Sequence, residues 1–360
     1  MKILLSAFTG LGNFVLKTPM IQAWTKLYPD DEIHLLAGNA FGAEFVLHRS
    51  PLISKTHFIS VNASGFEKFA FFRSLRAEKF DVAVLPFDAQ PNFLVAGTYI
   101  ARIPLRIRHL HPAVLSNRFK AVATIFLSTK THLVPVLAGR HETDLNMDLL
   151  RAYHRQPVTD VFPTIVNWQE HPEVLSKYNL QSNQYLLIQP GAANGLFKVK
   201  AWPPQHFGKL ISQLHENFSQ YKIVLVGDQG DLDTNISELY QYLPEKVKSV
   251  VINTAGETNI PDLLTLIKGA SLIVCHDSGT MHLADALEKP LIALYGPTDF
   301  SRTRPLKPTS TVLFAKGNYF NAMYNFKYTE SELSEMGIGY EAMANLSVDE
   351  VLKSITDKLQ

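Results

Sequence analysis

Ser271 to Thr298 reads SLIVCHDSGTMHLADALEKPLIALYGPT, and the fold follows from how that stretch is parsed. Leu272 to Cys275 is an apolar run long enough for a buried strand. His276-Asp277-Ser278-Gly279 is turn chemistry, and Thr280 to Glu288 carries Met281, Ala284 and Leu287 at helical spacing. Pro290 stops that helix, and Leu291 to Tyr295 begins a second buried strand before Gly296-Pro297. Such a unit sets the amides of Ser278, Gly279 and Thr280 at a helix N-terminus, whose partial positive charge suits a phosphate. Gly279 lets the backbone come close because it has no Cβ. Ser278 and Thr280 add hydroxyl donors, and His282 reaches the same anion. Asp277 either accepts from sugar or ribose hydroxyls or fixes the turn. An Asx-capped turn with a core-facing histidine is the competing reading, and physics alone leaves the two level.

Working outward, strands and helices alternate in both directions. Lys2 to Ala7, Glu32 to Ala37, His57 to Val61 and Val82 to Phe87 read as strands. Helical patterns fall at Phe14 to Tyr28, Phe41 to His48 and Glu67 to Lys79, and Pro19 kinks or divides the first. His141 to Tyr153 is an amphipathic helix, and Gln156 to Gln169 is a linker with two prolines. Beyond it, Tyr185 to Gln189, Lys222 to Gly227 and Val250 to Asn253 read as strands, with helices at Pro204 to Leu214 and Ile260 to Gly269. The chain after Pro297 reads as irregular until Ser347-Val348-Asp349-Glu350, a capping box that opens a final helix through Leu359. This alternation predicts α/β architecture with doubly wound parallel sheets.

At 360 residues with 46% hydrophobic content, the chain is long enough for two domains with separate cores. Lys and Arg number 34 against 33 Asp and Glu, so global charge gives no nucleic-acid footprint. The single cysteine, Cys275, excludes an internal disulfide and fits a reducing compartment. Gly10, Gly12 and Asn13 interrupt the apolar start, which reads as a first strand rather than a signal peptide. No stretch approaches the ~20 apolar residues of a membrane span. The turn Gly10-Leu11-Gly12 lacks the third glycine of a dinucleotide fingerprint, since position 15 is Val15, and strand two ends at Ala37-Gly38 without an acid.

From Ala89 to His141 there is no Asp or Glu, while Arg102, Arg106, Arg108, Arg118, Lys120, Lys130 and Arg140 are present with His109, His111 and His132. Interleaved with Leu105, Ile107 and Leu110, this suits an anionic amphiphile or a membrane surface. The plainer reading is a strand edge and an ordinary helix.

The pattern D-S-G-x-M-H-x-A-x-A, with P-x-x-A-x-Y-G-P-T after it, resembles the C-terminal signature of glycosyltransferase family 9, the heptosyltransferases of lipopolysaccharide core assembly. The opening M-K-I-L, Leu11-Gly12 and Thr18-Pro19 resemble the start of the same family. That resemblance implies two Rossmann-like domains facing a cleft, the GT-B type. It implies an acceptor domain over 1–157, a nucleotide-sugar domain over 170–330, and a 331–360 segment whose helix returns to the first domain. It also implies an inverting, cytoplasmic enzyme without a cofactor, working at most peripherally at the membrane; metal independence is predicted because no D-x-D triplet occurs outside Asp231-Leu232-Asp233. The partners implied are a nucleotide-sugar donor, ADP-heptose-like, and an anionic glycolipid or glycan acceptor, with no nucleic acid.

By the same resemblance, Gly191, Lys200, Asp228 (or Asp231), Asp277, Ser278, Gly279, Thr280 and His282 meet the donor. Lys200 stands two positions before Trp202-Pro203, as a basic residue does in the family. Gly12, Arg102, Arg106 and Arg108 are the acceptor candidates. The family's catalytic aspartate of the first turn is Asn13 here, and an amide accepts no proton near neutral pH. Asp88, at the end of the strand Val82 to Phe87, is the substitute base that topology offers. The alternative is a weak or silent sugar-nucleotide binder.

Overall fold

The computed structural model describes residues 1–8, 10–38, 52–87, 93–110, 131–156, 158, 162–165, 168–192, 198–324 and 327–360. Asp88, the expected helix Phe41 to His48, and His111, Arg118, Lys120 and Lys130 of the basic span lie outside them. The chain divides into two units, Met1–Trp168 and Gln169–Gln360.

Among the described residues the first unit holds six parallel strands: β1 Lys2–Ala7, β2 Glu32–Ala37, β3 Lys55–Phe58, β4 Val82–Leu85, β5 Leu105–Leu110 and β6 Thr131–Pro135. Their order is β3-β2-β1-β4-β5-β6. The second unit repeats the plan with β7 Tyr185–Ile188, β8 Lys222–Leu225, β9 Ile252–Asn253, β10 Leu272–His276, β11 Leu291–Tyr295 and β12 Ser310–Phe314, ordered β12-β11-β10-β7-β8-β9. Counted within each unit, both sheets run 3-2-1-4-5-6. Chain direction across such a sheet reverses between the first and fourth strands, where ligands bind at the carboxyl ends. Here those pairs are β1 with β4 and β7 with β10.

Pro19 divides the expected first helix in two, Leu11–Val15 and Thr18–Leu27, and sits in the first turn of the second, where its missing N–H is harmless. His141 caps the helix Glu142–His154, its Nδ1 accepting from the Thr143 amide at 3.2 Å. One expectation is corrected. The chain after Pro297 is not irregular: β12 extends the sheet beside β11, and the helix Glu330–Glu335 follows. The last helix is Val348–Leu359. Val348, Val351 and Ile355 belong to the second unit's core, with Trp202, Phe207, Leu210 and Met343. Its neighbour is the helix Pro204–Asn217, whose own apolar face needs a cover.

Candidate functional site

In the second unit the site grows from the carboxyl ends of β7 and β10. His276, the last residue of β10, is fully buried. Its Nε2 accepts from the Trp202 amide at 2.8 Å, so the ring proton sits on Nδ1 and is donated to the Gly191 carbonyl at 3.0 Å. One side chain thereby ties the turn after β7 to the Lys198–Lys200 segment. Burial pushes the His276 pKa down to about 4, so the ring stays neutral. Trp202 is also held by its indole N–H, which donates to the Leu346 carbonyl at 2.9 Å.

This tie sets Lys200 beside Asp277. Lys200 Nζ lies 3.1 Å from Asp277 Oδ2 and 3.5 Å from Glu330 Oε1. Burial disfavours the charged lysine, but Asp277 and Glu330 outweigh it and the Lys200 pKa is raised. Burial likewise works against the Asp277 carboxylate, and Lys200 and His282 reverse that, lowering its pKa. The Tyr295 hydroxyl donates to Asp277 Oδ1 at 3.4 Å, and His282 Nε2 stands 3.9 Å from the same oxygen. Ser278 is the N-cap of the helix Gly279–Ala286, yet its hydroxyl donates to Gln189 Oε1 at 2.6 Å instead of capping. The first-turn amides at Gly279 and Thr280 therefore keep their capacity for an anion.

Gly191 has a second neighbour. A Cβ at this position would lie 2.0 Å from Asp231 Oδ1, so only glycine lets the buried Asp231 close on the turn. Asp228 is different: it is exposed, and its carboxylate accepts from the Asp231 amide at 2.9 Å as a helix cap. Of the two acids in that turn, Asp231 is the one against Gly191.

In the first unit, Gly12 and Asn13 lie in the short helix after β1. Asn13 Nδ2 donates to Glu142 Oε2 at 3.2 Å, and the buried Lys17 donates through Nζ to the Asn13 carbonyl at 3.1 Å. His109 is engaged at both ring nitrogens: Nδ1 accepts from the Phe87 amide at 3.1 Å and Nε2 donates to the Leu145 carbonyl at 2.8 Å. The arginines correct the expected basic surface. Arg102 is exposed, but Arg106 and Arg108 are each only 3% exposed, because β5 lies between β4 and β6 and is covered on both faces. Arg106 donates to the Ile103 carbonyl at 2.8 Å and lies over the Tyr99 ring. Burial lowers the pKa of both guanidinium groups.

Thus Lys200, Asp277, Ser278, Gly279, Thr280, His282 and Gly191 come together, while Arg102 is separated in environment from Arg106 and Arg108. Sequence reading passed over His276, Tyr295, Glu330 and Glu142. His276 stood directly before the D-S-G turn and could have been noticed as a histidine ending a buried strand. Glu142 gave no signal, being 129 residues from Asn13.

The sequence matches glycosyltransferase family 9 (heptosyltransferase) over residues 68–334. Lipooligosaccharide heptosyltransferase 2 of Haemophilus influenzae is 28% identical over 322 residues, 87% of this chain and 88% of that protein. The fold is similar to that of the Escherichia coli ADP-heptose lipopolysaccharide heptosyltransferase II, with a TM-score of 0.75 and 23% identity, covering 100% of this chain and 98% of that one. It is also similar to an E. coli heptosyltransferase solved with ADP-2-deoxy-2-fluoro heptose, at a TM-score of 0.67 and 17% identity over 99% of both chains.

Proposed function

The chain belongs to glycosyltransferase family 9, the heptosyltransferase family, and from that premise we propose that it moves a heptose from ADP-heptose to a hydroxyl of an anionic lipopolysaccharide-core acceptor. The observation that carries the donor half is Lys200 beside Asp277, at the end of β10, with the uncapped helix turn Ser278-Gly279-Thr280 next in sequence. The amides take the diphosphate, and Lys200 stabilises the charge that grows on it as the sugar leaves. Asp277 holds Lys200, and Gly191 and His282 complete this side. ADP-sugar donors are supported by the relatives solved with ADP-heptose analogues.

The acceptor oxygen attacks the anomeric carbon from the face opposite the diphosphate. The carbon–oxygen bond to ADP breaks with its electron pair on ADP, so configuration inverts. Gly12 and Asn13 of the first unit serve the acceptor, with the exposed Arg102 available to an anionic group. Asp88 remains a proposed base by its place after β4. We further propose that no metal takes part. The single D-x-D triplet is Asp231-Leu232-Asp233, and Asp231 is packed against Gly191. Chelation with EDTA is then expected to leave the rate unchanged. Acceptor attachment to a lipid would place the enzyme peripherally on the cytoplasmic membrane face. Among the described residues no helix is long and apolar enough to cross a membrane.

The test is ADP release from ADP-heptose with and without a heptose-deficient core acceptor, beside thermal shifts with ADP, UDP and GDP. Expected are release only with acceptor, stabilisation strongest with ADP, and loss of roughly tenfold or more in ADP affinity for Lys200→Gln, a charged hydrogen bond being worth about 1.5–3 kcal/mol. Preference for UDP would overturn the donor assignment. A second reading, a silent nucleotide-sugar binder, is favoured by Asn13 alone, and ADP stabilisation without turnover would establish it.

A further inference from the structure

The Asn13 amide nitrogen donates to Glu142 Oε2. A carboxylate offers no hydrogen to the amide oxygen, so this bond fixes which way the amide points. Oδ1 must face away from Glu142, and among the described residues nothing donates to it. Lys17 fixes the other end of the residue by holding the Asn13 carbonyl, and its side chain is fully buried. Glu142 is itself 2% exposed and is set at the first position of the helix Glu142–His154, behind its His141 cap. Asn13 lies in the short helix Leu11–Val15 that follows β1, at the carboxyl end of the strand pair where its unit changes direction. The arrangement is therefore an oriented hydrogen-bond acceptor, half-buried, with a negative charge one bond behind it.

We propose that Glu142 is a positioning residue, which holds the Asn13 amide so that Oδ1 receives the hydrogen bond of the acceptor hydroxyl. This rests on the transferase reading above. The pair orients the nucleophilic oxygen and polarises its O–H bond, since hydrogen bonds in series strengthen one another. It does not keep the proton: the acceptor oxygen bonds to the anomeric carbon, the bond to ADP breaks with its electron pair on ADP, and the hydroxyl proton passes to the base proposed above, Asp88. Compared with an aspartate at position 13, the charge has been moved back to residue 142 and the contact atom made neutral.

The experiment compares the intact protein with Asn13→Asp, Glu142→Gln and the double variant, by two readouts. The first needs no substrate. Asn13→Asp sets a second carboxylate against Glu142, and two such groups at this distance cannot both ionise, so a proton is retained in the fold. The retained proton has a folded pKa above the unfolded value of about 4. The melting temperature of Asn13→Asp should match wild type at low pH and fall behind as pH rises from 5 to 8. The double variant should show no such trend, and a flat curve for Asn13→Asp overturns the pairing. The second readout is turnover. Glu142→Gln should lower kcat about tenfold at unchanged donor KM, because glutamine leaves the Asn13 amide free to flip. The double variant should regain turnover over Glu142→Gln, and Asn13→Asp alone should gain rate with pH as the shared proton is lost. Wild-type kcat and pH profile in Glu142→Gln would overturn the positioning role even if the melting curves behave. An inactive wild type, by contrast, would sink the transferase reading itself, and the melting curves would still report on the pair.

Discussion

Among single residues, His276 decides most about the candidate site of the second unit, and it does so by hydrogen bonds to neutral backbone groups. It holds Trp202 and Gly191 through one donor and one acceptor nitrogen, an arrangement available only to the neutral ring. The sign of its pH effect follows. Its folded pKa, about 4, lies below the ordinary 6.5, so the stability it contributes is present above pH 6.5 and is lost as pH falls toward 4. Between pH 7 and pH 5 this amounts to about 2 kcal/mol by linkage. Urea unfolding at the two pH values should show wild type losing that much more than His276→Gln, and equal losses would remove His276 as the cause. The phosphate-sized turn at Asp277 to Thr280 was legible in the sequence because turn residues, glycine and helix periodicity all agreed there. The tautomer of His276 and the bond between Asn13 and Glu142 were not. Each depends on a partner brought up by the fold from far along the chain, and no local pattern encodes it.

Individual elements were legible in proportion to how closely periodicity matched burial. The strands β1, β2, β7, β10 and β11 are apolar runs, and the structure buries them nearly throughout. β5 misled because Leu105-Arg106-Ile107-Arg108-His109 alternates apolar with basic, the pattern of a strand with one wet face. A parallel strand between two others has no wet face, and its arginines are buried with it. β12 was missed for the opposite reason: an edge strand, half-buried at every residue, has no strong apolar signature. The turn after β7 supplies a test of close approach between elements. Gly191→Ala should cost about 1–3 kcal/mol by overpacking against Asp231. In an Asp231→Ala background most of that cost should vanish, which a double-mutant cycle in denaturant would measure. An equal cost in both backgrounds would mean that the glycine is required for its backbone and not for the space beside it.

In the molecule as a whole, the two-unit α/β plan was legible because, among the described residues, strands alternate with helices in two six-stranded sheets. The particular residues that meet the final helix were not, since its capping box and apolar stripe state that a helix exists and name no partners. Ile355 is fully buried in the second unit's core, so Ile355→Ala should destabilise that unit by about 2–5 kcal/mol. Calorimetry should show the second unit's transition lowered and the first unit's unmoved; a shift of the first would contradict the division into separate cores. The same helix has a consequence for vectorial synthesis. Domains fold as units, the N-terminal one first as the ribosome elongates the chain. The first unit's described strands are made by Pro135 and the helix beside them by His154, so that sheet can assemble early. The second cannot: Phe207, Leu210 and Trp202 wait uncovered until Val348 to Ile355 has left the exit tunnel. During that interval a nascent chain carries an open apolar groove on a nearly finished sheet, which makes this half the natural client of a holdase chaperone.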